Sequence, residues 1–260
     1  MKNTTLKQKL LNNELTIGSW ITIGHQAVID ILSHAGFDWL TIDMEHTAID
    51  YNEAQILIAF IQSHNMSALV RVSKNEEVVI KRVMDAGADG VIVPMICSAD
   101  DARKAVSYTK YPPEGLRGVG LNRAQEYGFG FEKYKDWVRD SSVLIAQIEH
   151  IDGVENIEEI INTPGVDGVI VGPYDLSGSL GIPGEYNDPR VIEALKKVER
   201  ICLENKKSLG YHVIEPNSEL LKEKQKAGYN FLAFSTDFLF MGKKAFEEMS
   251  NIKKSNFLGK

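Results

Sequence analysis

Two short strings carry the densest chemistry in the chain: Gln147-Ile148-Glu149 and Gly172-Pro173-Tyr174-Asp175-Leu176-Ser177. Each sits at the end of an apolar run, Leu144-Ile145-Ala146 in one case and Gly168-Val169-Ile170-Val171 in the other, of the kind a buried parallel strand uses. An acid just past such a run lies outside the carboxyl end of its strand, where parallel strands open to solvent. The two-residue period of a strand also turns Gln147 and Glu149 to the same side. A Glu and an Asp from neighbouring strands, with room left for water, suit a hard divalent cation such as Mg²⁺ or Mn²⁺. Helix capping by two unrelated strand-end acids is the alternative, and Gln147 beside the pair weighs against it.

Two further residues fit the same chemistry. His46 follows Ile42-Asp43-Met44-Glu45 on a loop that leaves a strand. An imidazole there, next to two acids, can remove a proton near neutral pH or simply make structural hydrogen bonds. Arg71 ends Leu69-Val70, where a charge is costly unless paired or used. Its guanidinium can hold a carboxylate or stabilise a developing enolate, or it can be a buried ion pair with Asp43 or Glu45. A divalent metal, an oxyanion-stabilising cation and a neutral base together suit deprotonation next to a carbonyl, the first half of a metal-dependent aldol reaction.

The elements that must position these residues are written as a repeat. Ala35-Gly36-Phe37-Asp38, Ala86-Gly87-Ala88-Asp89, Pro164-Gly165-Val166-Asp167 and Ala227-Gly228-Tyr229-Asn230 each lead into an apolar stretch. In each, a helix ends on a glycine cap and an Asp or Asn turn opens a buried strand. Four more strands are expected at Thr16 to Ile21, Ala68 to Val72, Leu144 to Glu149 and Ser208 to Val213. Between them, Ala27 to Ser33, Glu53 to Gln62, Val78 to Asp85, Ala99 to Tyr108, Val191 to Glu204 and Glu219 to Lys226 show helical apolar spacing. Eight strands alternating with helices over about 250 residues predict an α/β fold, a (β/α)₈ TIM barrel. A doubly wound open sheet would need a glycine-rich phosphate loop after its first strand, and Gly18 to Gly24 lacks that spacing.

In such a barrel the strand ends bring together Trp20, Asp43 to His46, Arg71, Pro94, Gln147 with Glu149, Asp175, His212, and Ser235 to Asp237. Of six histidines, only His46 and His212 follow strands without running into a helix. None of the strand ends carries the lysine that a Schiff-base aldolase requires. The longest irregular region, Tyr111 to Gly130, is rich in Gly and carries Arg117 and Arg123, of which Arg123 is either a clasp for an anionic aldehyde or a surface residue. The basic end Lys253-Lys254-Ser255-Asn256 reads as a solvated tail.

A net charge of -7 over 260 residues argues against a nucleic-acid surface. The 43% hydrophobic content is that of an ordinary globular core, and the chain is expected to be a single barrel domain over 1–260. Cys97 and Cys202 lack metal or redox spacing and read as free thiols of a reducing compartment. No run is long enough to span a membrane and the first residues have no secretory core, so a cytoplasmic protein is expected.

The whole set resembles the HpcH/HpaI aldolases, the class II pyruvate aldolases that include 4-hydroxy-2-oxoheptanedioate and 2-keto-3-deoxy sugar-acid enzymes. The resemblance rests on Trp20, Asp43 to His46, Val70 to Val72, Ala88 to Pro94, the Tyr111-Pro112-Pro113-Glu114-Gly115-Leu116-Arg117-Gly118 string, Gln147 to Glu149 and Gly172 to Ser177. It runs in order from about Gly18 to Asp237. It implies reversible cleavage of a 4-hydroxy-2-oxo acid to pyruvate and an aldehyde through a pyruvate enolate held on a divalent metal, Mg²⁺, Mn²⁺ or Co²⁺. Glu149 and Asp175 would be its ligands. Gln147 would bind the pyruvyl unit, and the backbone around Tyr174 and Asp175 its carboxylate, at the start of a short helix. His46 would be the base, Arg71 the enolate stabiliser, and Asp85 the acid that raises the basicity of His46. Asp85 closes a helix at the other end of its own barrel, so that contact calls for another subunit. The resemblance further implies a homo-oligomer, commonly a hexamer that exchanges a C-terminal helix, here Phe238 to Met249.

The chain departs from the family on the acceptor side, where Tyr174 adds bulk and Leu121 to Phe131 is unusually aromatic. A citrate-lyase or malyl-CoA-lyase type of enzyme is an alternative, but it needs a basic site for coenzyme A phosphates and only Arg103-Lys104, inside a helix, is adjacent. A non-catalytic 2-oxo-acid-binding relative is another, and it would be expected to lack one of His46, Arg71, Glu149 or Asp175.

Overall fold

Alternating apolar strands and amphipathic helices close into a barrel in the computed structural model, which describes residues 5–254. The strands are β1 (Thr16–Ile21), β2 (Trp39–Asp43), β3 (Ser67–Arg71), β4 (Gly90–Val93), β5 (Val143–Ile148), β6 (Gly168–Val171), β7 (Ser208–Val213) and β8 (Phe231–Thr236). They pair in sequence order, all parallel, with β8 returning to β1. The expected (β/α)₈ barrel is therefore the fold. Helices Gln26–Ser33, Tyr51–Ser63, Glu77–Asp85, Ala99–Thr109, Pro189–Glu204 and Ser218–Lys226 follow the six predicted patterns. Five others were not anticipated from apolar spacing: Leu6–Leu11, Phe131–Ser141, Ile151–Glu155, Ile157–Ile161 and Pro173–Ser179. A last helix, Asp237–Lys254, takes in Lys253 and Lys254; the rest of the expected basic tail, from residue 255 on, lies outside the described residues.

The repeat seen in the sequence closes the amino-terminal end of the barrel. Gly36, Gly87, Gly165 and Gly228 all take positive φ, the conformation that ends the preceding helix without a Cβ clash. The next acid or amide then binds back to the preceding odd strand. The Asp38 carboxylate accepts the Ile17 amide at 2.8 Å, Asp89 that of Ala68 at 2.8 Å, Asp167 that of Leu144 at 2.9 Å, and the Asn230 carbonyl oxygen that of Leu209 at 2.9 Å. Each of the four also donates its own backbone N–H to the carbonyl of the same partner.

Side-chain alternation separates two apolar layers. One set, including Leu40, Val70, Val91 and Val169, packs outward beneath the helices. The other, Trp39, Leu69, Ile92, Ile145, Ile170 and Phe231, fills the barrel, with Leu6 and Leu10 of the first helix joining it. Trp39 stacks on Phe231 with ring centroids 4.3 Å apart. Gly18 makes that possible, since a Cβ there would fall 2.0 Å from the Trp39 ring. Among the described residues no helix is long and apolar enough to cross a membrane.

Candidate active site

The opposite end of the barrel opens into a cavity of about 370 Å³ lined by Trp20, Asp43, His46, Arg71, Gln147, Tyr174, Asp175 and His212, among others. Its floor on one side is set by the pairing of β2 with β3, which places Asp43 beside Arg71. Asp43 grips Arg71 through two hydrogen bonds, Nε to Oδ1 at 3.0 Å and Nη2 to Oδ2 at 2.7 Å. The same Oδ1 accepts the amides of Glu45 at 3.0 Å and His46 at 3.3 Å, so one buried carboxylate both orients the guanidinium and shapes the loop that carries His46. Glu45 lies 3.2 Å from Arg71 Nη1 and 3.7 Å from His46 Nε2. Burial pushes the Glu45 carboxyl up to about 6, with Arg71 opposing and Glu149 reinforcing the shift. The buried ion pair anticipated for Arg71 is present, and it leaves the guanidinium on the cavity wall.

On the other side β5 ends in Gln147 and Glu149, both buried. They do point the same way: Gln147 Nε2 donates to Glu149 Oε2. Glu149 Oε1 accepts the Met95 amide at 2.8 Å, and Met95 adopts φ +53 as its N–H meets the carboxylate. Burial raises the Glu149 carboxyl, the two hydrogen bonds oppose this, and the neighbouring charge of Asp175 adds to the rise. Asp175 is exposed in the first turn of helix Pro173–Ser179, whose preceding residue, Gly172, supplies no side-chain cap. A Cβ at Gly172 would sit 3.0 Å from Glu149 Oε2, so the glycine keeps the space beside that carboxylate open.

This donor set fits a divalent ion. Among the described residues no group of three or more His, Cys, Asp or Glu side chains gathers as a closed metal cage. Glu149 and Asp175 offer two hard oxygen ligands whose mutual repulsion a cation would relieve, and the remaining positions fall to water and substrate oxygens, as is usual for Mg²⁺-type ions.

The third wall comes from β1, β7 and β8. Trp20 stacks on His212 with centroids 4.6 Å apart, and His212 Nε2 lies 3.1 Å from the Ser235 carbonyl oxygen. Burial is the main force that lowers His212 to about 4. Asp237 is structural here: its carboxylate accepts the amides of Thr22 and Ile23, both at 2.8 Å, and holds the loop after β1.

Two expected residues lie elsewhere. Asp85 ends helix Glu77–Asp85 at the amino-terminal side, where its Oδ1 takes hydrogen bonds from Arg117 at 2.5 Å and Gln125 at 3.1 Å. Within one chain it does not meet His46. Arg123 binds the Ala86 carbonyl at 3.1 Å and Gln62 at 2.8 Å. It is therefore no aldehyde clasp in its own chain, because the segment after helix Ala99–Thr109 returns to the amino-terminal end before β5 begins. Sequence reasoning places Asp43 among the strand-end residues beside His46 and Arg71, and Gly172 at the head of the Gly172 to Ser177 string, but it assigns neither its structural part and does not single out Met95. For Asp43 and Gly172 the signal was proximity to a named residue, while nothing in the sequence marks Met95.

Residues 16–238 match the HpcH/HpaI aldolase/citrate lyase family. The hydroxypyruvate/pyruvate aldolase of Roseobacter denitrificans is 32% identical over 91% of this chain and 92% of its own. The 2-dehydro-3,6-dideoxy-6-sulfogluconate aldolase of Pseudomonas putida is 35% identical over 91% of this chain and 92% of its own. An HpcH/HpaI aldolase/citrate lyase family protein from Burkholderia cenocepacia superposes with a TM-score of 0.87 at 32% identity, covering 95% of this chain and 98% of that one.

Proposed function

The chain belongs to the HpcH/HpaI aldolase/citrate lyase family and is a carbon–carbon lyase, and on that premise we propose that it is a cytoplasmic, divalent-metal-dependent aldolase that reversibly cleaves a 4-hydroxy-2-oxo acid to pyruvate and an aldehyde. The observation that carries the reading is the convergence of Glu149, Asp175, Gln147, Arg71 and His46 on one end of the barrel, four of them on the cavity wall itself. A Mg²⁺, Mn²⁺ or Co²⁺ ion bound by Glu149 and Asp175 would supply Lewis acidity to the 2-oxo group.

The chain's own residues do the rest. Gln147 hydrogen-bonds the pyruvyl unit, and the amides of Tyr174 and Asp175 receive its carboxylate. In cleavage, His46 takes the proton of the C4 hydroxyl, directly or through water, as the C3–C4 bond breaks and its electron pair passes into the pyruvate enolate. In condensation the same imidazole removes a proton from the pyruvate methyl group. Arg71, fixed by Asp43, balances the enolate charge. The part expected of Asp85 beside His46 requires a second copy of the chain. We propose such a homo-oligomer, a hexamer by family analogy, with Phe238, Met241, Phe246 and Met249 as the exposed apolar side chains of the last helix that meet a neighbour. A coenzyme A lyase draws no support from Arg103, which pairs with Asp100 on an exposed helix face.

The test is exchange of pyruvate methyl protons in deuterated water. Exchange is expected with Mn²⁺ or Mg²⁺ and pyruvate alone, followed by product formation once an aldehyde is added. Exchange that persists after exhaustive chelation, or its absence with every divalent ion, sinks the proposal.

A further inference from the structure

The cavity holds one side chain that the reaction above leaves idle. His212 stands on β7 against Trp20 and lines the same cavity as Arg71. The Ser235 carbonyl can only accept, so Nε2 must carry the proton that joins them at 3.1 Å. That bond is built into the fold. Ser235 adopts φ +55, and its carbonyl also accepts the Ser19 hydroxyl, tying β7, β8 and β1 together at this point. Burial lowers the imidazole to about 4, so near pH 7 it has a single proton, already committed to Ser235. Nδ1 is then a bare lone pair. Among the described residues no hydrogen bond reaches it, and the ring that carries it lines the cavity.

The other groups nearby limit what Nδ1 meets. Arg71, the cation that lines this cavity among the described residues, is bound by Asp43 and faces Glu45. The Thr22 hydroxyl is committed to Asp237 and the Thr47 hydroxyl to the Asp43 carbonyl. Trp20, Ile214, Phe238 and Leu239 give apolar surface. An anionic aldehyde would find no unpaired cation here, and a purely apolar one would leave a lone pair dry and unmatched.

We propose that His212 is the specificity-determining residue for the aldehyde: its Nδ1 accepts a hydrogen bond from a hydroxyl next to the aldehyde carbon, so that the acceptor is a short, uncharged 2-hydroxyaldehyde. This rests on the aldolase reading above. Tyr174, 54% exposed and lining the same cavity, adds bulk that favours a short chain.

The experiment compares kcat/KM for glycolaldehyde with that for propanal, which matches it in size but lacks the hydroxyl, and with succinic semialdehyde as an anionic acceptor. The full-length enzyme is used with pyruvate and Mn²⁺. Wild type is expected to favour glycolaldehyde over propanal by about tenfold or more, the discrimination available to a site built for a hydroxyl. In His212→Phe, which keeps a ring to stack on Trp20, the glycolaldehyde-to-propanal ratio should fall by about tenfold or more. In His212→Gln, which restores an acceptor, the ratio should recover toward the wild-type value. A wild type that prefers propanal or succinic semialdehyde, or a ratio that does not move in His212→Phe, overturns the proposal even if the latter variant is poorly folded in bulk, since a ratio reads only active molecules. Pyruvate methyl exchange in the wild type separates the two levels. If exchange is present and the ratio is wrong, only the role of His212 fails; if exchange is absent, the aldolase reading fails and takes the proposal with it.

Discussion

Replacing Asp43 with Asn tests whether Arg71 works because it is held. The substitution keeps Oδ1, and with it the amides of Glu45 and His46, but puts an NH₂ group where Oδ2 now accepts Arg71 Nη2 at 2.7 Å. Two donors would then face each other, with Arg71 and Asp43 side chains only 14% and 4% exposed. Breaking a buried ion pair outright costs about 3–5 kcal/mol. Glu45, 3.2 Å from Nη1, keeps a second carboxylate beside the guanidinium, so the expected loss is nearer the worth of one charge-assisted hydrogen bond, about 2–3 kcal/mol. Urea unfolding reads that number. The effect on chemistry should be of similar size. A guanidinium released from its fork no longer meets the developing enolate, and an oxyanion donor contributes about 10²–10³-fold. Pyruvate methyl exchange in Asp43→Asn should therefore fall by about a hundredfold. Arg71→Ala should do the same, and the double variant should be no worse than Arg71→Ala alone, because the two residues act as one unit. If Asp43→Asn exchanges at the wild-type rate, or if the two losses multiply in the double variant, orientation of Arg71 by Asp43 is not what the reaction uses.

Glu149→Ala or Asp175→Ala should abolish Mn²⁺ binding in calorimetry and leave the circular dichroism spectrum unchanged, since Asp175 is exposed and Glu149, though buried, belongs to neither apolar layer of the barrel; retained affinity in either would move the metal. Gly172→Ala should weaken Mn²⁺ binding without removing a ligand, because the new Cβ would stand 3.0 Å from Glu149 Oε2. Unaltered affinity would mean the carboxylate has room to spare. His212 should make stability fall as pH drops from 6.5 to about 4, since the unfolded chain binds a proton there that the folded site refuses. The contribution is about 3 kcal/mol, and His212→Phe should flatten that part of the urea midpoint against pH. Borohydride added with pyruvate should trap no covalent adduct on the protein; a pyruvyl-lysine in the mass spectrum would refute the metal-dependent route.

The strands and their terminal acids were readable because a strand buried on both faces is written as an unbroken apolar run, and its end is where polarity returns. Leu144 to Glu149 and Gly168 to Asp175 are cases of this. The short helices were not readable by the same means. Ile151–Glu155 and Ile157–Ile161 are interrupted at Asn156, so neither is long enough to display a period. Leu6–Leu11 did have a local sign, the capping box from Thr5 to Gln8, but not the apolar length to stand out. At the site, residue types indicated the chemistry but not which partner each would take. The bidentate grip of Asp43 on Arg71 depends on the register of β2 against β3, which no local pattern states. Arg123 shows the converse. Chain order alone implies that a segment following a helix returns to the amino-terminal end of a barrel, and that rule outweighs the appeal of an arginine in a glycine-rich loop.

The four turns that seal the amino-terminal end each join an odd strand to the even strand that follows it, Ile17 to Asp38, Ala68 to Asp89, Leu144 to Asp167 and Leu209 to Asn230. The barrel is thereby stitched as four strand–helix–strand modules, each complete within one stretch of chain. A circular permutant with new termini between β2 and β3, or between β6 and β7, keeps all four stitches within continuous segments. One cut between β3 and β4 must bring Ala68 and Asp89 together from opposite ends of the chain. Rewiring tolerance is thus set by residues at the far end from the chemistry, which leaves the loops at the mouth free to be exchanged for other acceptors without loosening the frame.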